Sequence, residues 1–110
     1  MKITNGRKTG FVGVNSLKLY IGRGGKGLPH SPLANPYYVG IDGSRYAVIE
    51  KYRKWLWSRI NLQDEKVMSA LYLIANNPDI ELVCWCYPEP CHGDVIINAV
   101  NWLKEQDNEK

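Results

Sequence analysis

A chain of 110 residues with 45% hydrophobic and 23% charged residues has the size and composition of one globular domain and is too short for a second core. No apolar run reaches the roughly 18 residues that span a bilayer, and residues 1–6 lead into no apolar segment of the signal-peptide kind. A cytoplasmic protein with no membrane partner is therefore expected. The net charge of +3 is unevenly spread: residues 1–59 carry eleven Lys and Arg against two acids, and residues 60–110 carry three against nine. Segregated on the surface, the basic half would suit a phosphate-bearing partner; interleaved, the two halves would neutralise each other.

Residues 1–10 are polar and basic, with an Asn5-Gly6 pair suited to a turn, and are expected to be a flexible N-terminal segment, a loop or a frayed hairpin. Phe11-Val12-Gly13-Val14 and Leu17-Lys18-Leu19-Tyr20-Ile21 are short strand candidates around Asn15-Ser16, and a small hairpin is expected there. In the second run Leu17, Leu19 and Ile21 share one face, the alternation of a half-buried strand. Residues 22–36 hold four glycines and three prolines and support no regular element. Loops of that length in compact domains tend to be functional, and Gly22, Arg23 and Gly24 offer the yielding backbone and the charge of a phosphate-binding turn. The pattern is neither G-x-x-x-x-G-K-[ST] nor G-x-G-x-x-G, so a merely flexible connection is the competing reading.

Pro36-Tyr37-Tyr38-Val39 reads as a short extended segment, and Gly40-Ile41-Asp42-Gly43-Ser44 as a turn ending in a helix cap. From Arg45 to Ile60, the residues Val48, Ile49, Tyr52, Trp55, Leu56 and Ile60 recur at spacings of three and four, which predicts an amphipathic helix. Bases and aromatics interleave along it as they do on nucleic-acid surfaces, although aromatics at helical spacing commonly belong to a core. A second helix is predicted from Asp64, its cap, to Ala75, with Val67, Ala70, Leu71 and Ile74 inward and Asn76-Asn77-Pro78 as its stop. Ile80 to Cys86 is the most apolar strand candidate and belongs at the centre of a sheet. A last helix is predicted from Cys91 or His92 to Glu105, with Ile96, Ala99, Val100 and Leu103 inward and residues 106–110 as a polar tail. The expected fold is one α/β domain over residues 1–110: a short, mostly parallel sheet, about three helices and a long Gly/Pro-rich loop, in two or three layers.

All three cysteines, Cys84, Cys86 and Cys91, fall within eight positions, with His92 and Asp94 directly after them. An odd, crowded set is unlike a secreted disulfide framework. Three chemistries compete. Cys84 and Cys86 could be core thiols, with Cys91 and His92 only starting a helix. Cys84, Cys86, Cys91 and His92 are ligand types that zinc takes, although C-x-C-x4-C-H lacks the usual C-x2-C knuckle. Cys91 could instead be an active-site thiol: the dipole at a helix start favours a thiolate, His92 can act as a base, and Asp94 can orient it. A C-x-x-C redox pair and a deaminase H-x-E are both absent.

Tyr20-Ile21-Gly22-Arg23, Leu33-Ala34-Asn35-Pro36-Tyr37, Arg45 with Tyr52-Arg53-Lys54-Trp55-Leu56, Leu82-Val83-Cys84-Trp85-Cys86 and Cys91-His92-Gly93-Asp94 closely resemble the family catalogued as domain of unknown function 4326. Ala34 stands where that family usually has glycine, and Tyr37 where it has phenylalanine. The resemblance implies a small intracellular protein of bacteria or their phages. It also groups Arg23, Asn35, Arg45, Cys84, Cys86, Cys91, His92 and Asp94. If the strands ending at Ile21 and Cys86 are parallel neighbours, Gly22-Arg23 and residues 86–92 emerge at one sheet edge, where open α/β folds bind ligands. The expected function is binding of a phosphate-bearing ligand, a nucleotide or nucleotide-derived sugar. Arg23 and Arg45 would hold the anion beside Gly22 and Gly24, and Asn35 would orient the ligand. Cys91, His92 and Asp94 would supply the chemistry of a nucleotide-directed hydrolase or transferase. The alternative is a non-catalytic, zinc-stabilised module that contacts nucleic acid or an acidic protein.

Overall fold

The computed structural model describes residues 1–6, 18–25, 27, 28, 30–85 and 91–108. Three short strands, β1 (Lys2–Asn5), β2 (Lys18–Tyr20) and β3 (Glu81–Cys84), form a parallel sheet in the order β1-β3-β2. The central place falls to β3 because Leu82, Val83 and Cys84 are all buried. Leu82 and Cys84 join the main apolar cluster, while Val83, pointing the other way, is buried too, as expected of a parallel strand covered on both faces. The register sets Ile3 against Leu82 and Asn5 against Cys84 on one side, and Leu19 against Leu82 on the other. An Ile21 N–H to Val83 carbonyl bond of 3.0 Å carries the pairing one residue past β2.

Strand β1 corrects the expectation of a loose N-terminal segment. An edge strand pairs on one side only and can leave its other side to solvent, so a sequence as polar as Lys-Ile-Thr-Asn suffices if one residue reaches the core. Ile3 does so, and Lys2 and Thr4 meet the Glu81 carboxylate at 3.5 Å each. Residues 7–10 lie outside the described residues, as does the hairpin partner expected at residues 11–14. The pairing of β2 that the structure describes is with β3 and is parallel. The segment expected to be extended over residues 36–39 forms no strand and turns at Tyr38, whose carbonyl accepts from the N–H groups of Ile41 and Asp42 and whose N–H donates to Asp42 Oδ2. From Tyr38 to Asp42 the chain is a turn closed by its own polar groups.

The helices follow their apolar periodicity closely. Helix α1 (Arg45–Asn61) starts where the Ser44 hydroxyl accepts the Ala47 N–H, and it buries Val48, Tyr52, Leu56 and Ile60 at strict four-residue spacing. Helix α2 (Glu65–Ala75) starts where the Asp64 carboxylate accepts the Val67 N–H and buries Val67, Leu71 and Ile74. Helix α3 (Gly93–Asn108) buries Val95, Ile96, Ala99, Val100 and Leu103. It continues past Glu105, so residues 106–108 are helical rather than tail, since nothing in that polar stretch breaks a helix. Trp57 lies off the buried stripe of α1 because it has another partner: its ring meets Trp102 of α3 edge to face at 5.2 Å. Residues from α1, α2, α3 and β3 share a single apolar cluster. No described helix is long and apolar enough to cross a membrane.

Candidate functional site: a cleft at the carboxyl ends of the strands

Because the strands are parallel, the chain leaves β2 and β3 at the same edge, and side chains there tie the two exits together. The Tyr20 hydroxyl donates to the Arg23 carbonyl at 2.7 Å and accepts from Trp85 Nε1 at 2.9 Å. Asn5 Nδ2 donates to the Trp85 carbonyl at 3.3 Å, adding the exit of β1. A Cβ on Gly22 would lie 2.4 Å from the Tyr20 hydroxyl, so any other residue there would push Tyr20 out of this network.

The glycine-rich segment is shaped rather than loose. Ser31 N–H donates to the Gly22 carbonyl at 3.0 Å, and Gly24 N–H donates to His30 Nδ1 at 3.1 Å. Gly25 and Leu28 exchange backbone bonds of 3.1 and 2.9 Å. Beyond them Leu33 and Ala34 enter the core, and the buried Tyr52 hydroxyl donates to the Leu33 carbonyl at 2.7 Å. The N–H groups of Gly24 and Gly25 are thus committed within the loop.

These exits enclose a cleft of about 600 Å³. Tyr20, Tyr37, Val39, Val48, Cys84 and Trp85 supply its apolar surface, and Arg23, Asn35, Arg45 and His92 its polar groups beside Gly22, Gly24 and Gly25. The described lining contains no carboxylate. A smaller cavity of about 40 Å³ shares Asn35, Arg45 and His92 with it and adds Cys91. Arg23 donates to the Tyr37 carbonyl and lies over the Tyr38 ring at 3.8 Å, a cation–π contact that holds the guanidinium at the cleft. Asn35 Oδ1 accepts the Tyr37 N–H at 2.9 Å, a bond that uses the acceptor of its amide and not the donors. Arg45 is the first residue of α1.

His92 bridges the two halves of the site. Its Nε2 lies 2.7 Å from the Ile21 carbonyl, 71 positions away in sequence. A carbonyl only accepts, so Nε2 carries the hydrogen, and Nδ1 of the neutral ring is an acceptor. The ring stands edge-on to Tyr52 at 5.0 Å. Burial holds the imidazole below its usual range against the opposing bond to Ile21, and the nearby Arg23 charge lowers it further. The folded chain therefore resists a proton that the unfolded chain accepts. The stability this contributes is full above the unfolded value of 6.5 and is lost as pH falls from there through the lower folded value. Urea midpoints followed from about pH 7.5 to 5.5 should fall more steeply for wild type than for His92→Gln. Parallel curves would assign the acid lability elsewhere.

Cys84 and Cys91 are both buried, with their sulfurs 3.6 Å apart. Cys91 Sγ accepts the Gly93 N–H at 3.3 Å, and the Cys91 and His92 carbonyls accept from Asp94 and Ile96, so this pair caps α3. Gly93 packs beneath β1, where a Cβ would come within 2.9 Å of Ile3 Cδ1. Asp94 is exposed in the first turn of α3, where its charge suits the helix dipole, and it lines neither cavity. His92 is oriented by the Ile21 carbonyl instead. Cys86 lies outside the described residues. Among the described residues no three of His, Cys, Asp and Glu are grouped to hold a metal ion.

Of the residues singled out by sequence, the structure brings Gly22, Arg23, Gly24, Asn35, Arg45, Cys84 and His92 to one cleft and sets Cys91 in the adjoining cavity. Sequence reasoning missed Tyr20, Tyr37, Trp85 and Val39 as lining residues, and it read Tyr52 as core or as part of a nucleic-acid surface, not as the neighbour of His92. The one available signal was the alternation in β2, which puts Tyr20 opposite Leu19 and Ile21.

A protein of Enterobacteria phage T4, described as an uncharacterized 12.4 kDa protein in the nrdA-td intergenic region, is 41% identical to this chain over 71 residues, 64% of its length. The chain spans 62% of the length of that relative. No solved structure matches. The family described as domain of unknown function (DUF4326) matches residues 4–102, nearly the whole chain, and the protein belongs to that family.

Proposed function

We propose that the cleft binds a phosphate-bearing ligand with an aromatic part, a nucleotide or a nucleotide-derived sugar. The observation that carries this reading is the meeting of Arg23 and Arg45 with Tyr20, Tyr37 and Trp85 in one cleft whose described lining has no carboxylate. Guanidinium groups match phosphate oxygens in a two-pronged geometry, and aromatic rings stack on a base. The volume of about 600 Å³ falls within the range of small-molecule sites. Arg23 is braced by the Tyr37 carbonyl and the Tyr38 ring, so little of its side-chain freedom remains to be lost on binding.

For chemistry, a neutral His92 with Nδ1 as acceptor is a base placed at the cleft, suited to taking a proton from an attacking water or hydroxyl in a nucleotide-directed hydrolase or transferase. Cys91, in the smaller cavity, stands behind it. The test is a thermal-shift screen of the purified chain against nucleoside mono-, di- and triphosphates, nucleotide sugars, free nucleosides and inorganic phosphate. A ligand at 100 times its Kd stabilises by about 2.7 kcal/mol, well within reach of the method. A shift with one nucleotide class and none with its nucleoside is expected. Silence across every phosphorylated compound would refute the proposal.

A further inference from the structure

Cys84 ends the central strand and Cys91 caps α3, and the fold brings their reduced sulfurs to 3.6 Å in a buried setting. Only about 1.5 Å of further approach separates that distance from a disulfide bond. Cys84 is held in register against Asn5 of β1, and its neighbour Val83 against Tyr20 of β2, whereas Cys91 lies just before a helix and bonds the Gly93 N–H through its own sulfur. The approach therefore falls on Cys91, and its neighbour His92 lines the cleft. The cleft also reaches Cys84, giving a small oxidant a route to one of the two sulfurs.

We propose that Cys84 and Cys91 are a dithiol site that takes up and releases a disulfide bond by exchange with a small disulfide of the glutathione class, and that closing the bond displaces His92. The Cys84 thiolate attacks one sulfur of the small disulfide, forming a mixed disulfide and expelling one thiolate. The Cys91 thiolate then attacks Cys84 Sγ and expels the second. The protein loses two protons and two electrons, and the small disulfide leaves as two thiols. This inference does not rest on the nucleotide reading, because the oxidant is a different molecule and the test contains no nucleotide.

The full chain carrying Cys86→Ser is equilibrated across ratios of oxidised to reduced glutathione, alkylated, and cut with chymotrypsin after Trp85, which separates Cys84 from Cys91. A linked peptide pair that accumulates with the oxidised fraction and disappears with dithiothreitol is expected. Adding Cys84→Ser or Cys91→Ser should abolish it. The sequence has two histidines, so proton NMR resolves their rings: oxidation should move the His92 signal and leave that of His30 in place. If the Cys86→Ser chain fails to fold, fragment sequencing of the same digest from the wild-type chain locates the bridge. Full alkylation of Cys84 and Cys91 at every ratio, a bridge only to Cys86, or glutathione adducts without a bridge would overturn the dithiol site. A bridge that leaves the His92 signal unmoved would overturn the coupling.

Discussion

Arg45→Ala and Arg23→Ala each remove the nucleotide-induced thermal shift expected of the wild-type cleft. Losing one partner of a charged, hydrogen-bonded contact costs about 2 kcal/mol or more, on the order of 30-fold in Kd. Arg45→Lys keeps the charge but not the planar fork, so it should recover part of the affinity and less of the selectivity between phosphate patterns. Arg23 is bonded to the Tyr37 carbonyl and covers Tyr38, so its loss also loosens the loop after the glycines in the unliganded protein. Titration calorimetry with the nucleotide that gives the largest shift provides the check. Wild-type affinity in both variants would show that the ligand does not meet these guanidinium groups.

Tyr52→Phe and Tyr52→Ala test how the core positions the cleft. Tyr52 is fully buried on α1, with its hydroxyl on the Leu33 carbonyl and its ring against His92. Burial, with the Cys91 sulfur nearby, pushes the phenol above its usual range, so it stays protonated and remains a donor. Phenylalanine keeps the packing but strands the Leu33 carbonyl, at about 1–3 kcal/mol for an unpaired buried acceptor. Alanine also empties the volume of a large ring, at about 3–5 kcal/mol. Urea unfolding measures both. Because Leu33 belongs to the same loop as Arg23 and Asn35, Tyr52→Phe should also weaken ligand binding. A variant as stable as wild type would show that the Leu33 carbonyl finds another donor.

The helices were legible because their signals are local. Four-residue spacing of Val48, Tyr52, Leu56 and Ile60, Asp64 before an apolar run, and Asn76-Asn77-Pro78 after one each act within a turn or two of backbone. Strand β3 was legible for the same reason, its run being too apolar to lie anywhere but inside. Strand β1 was not, because Lys2, Thr4 and Asn5 carry no sign of the partner at residues 81–84 that makes them a strand. The glycine-rich loop was legible as a loop and not as a shape: the Ser31 N–H meets the Gly22 carbonyl and the Gly24 N–H meets His30 Nδ1, pairings that no turn or helix signal in the sequence specifies.

Sequence by itself determined one α/β domain, three helices, the caps Ser44 and Asp64 of two of them, a central apolar strand, and the residue types that gather at the sheet's carboxyl edge. Local propensity and burial periodicity need no knowledge of distant neighbours. The tertiary structure alone decided that Asp94 lies exposed while the Ile21 carbonyl orients His92, that Tyr20 and Trp85 join the cleft, and that Cys84 and Cys91 stand sulfur to sulfur. The Ile21–His92 and Tyr20–Trp85 pairings join residues 71 and 65 positions apart, and the parallel register of β2 on β3 brings them within bonding distance.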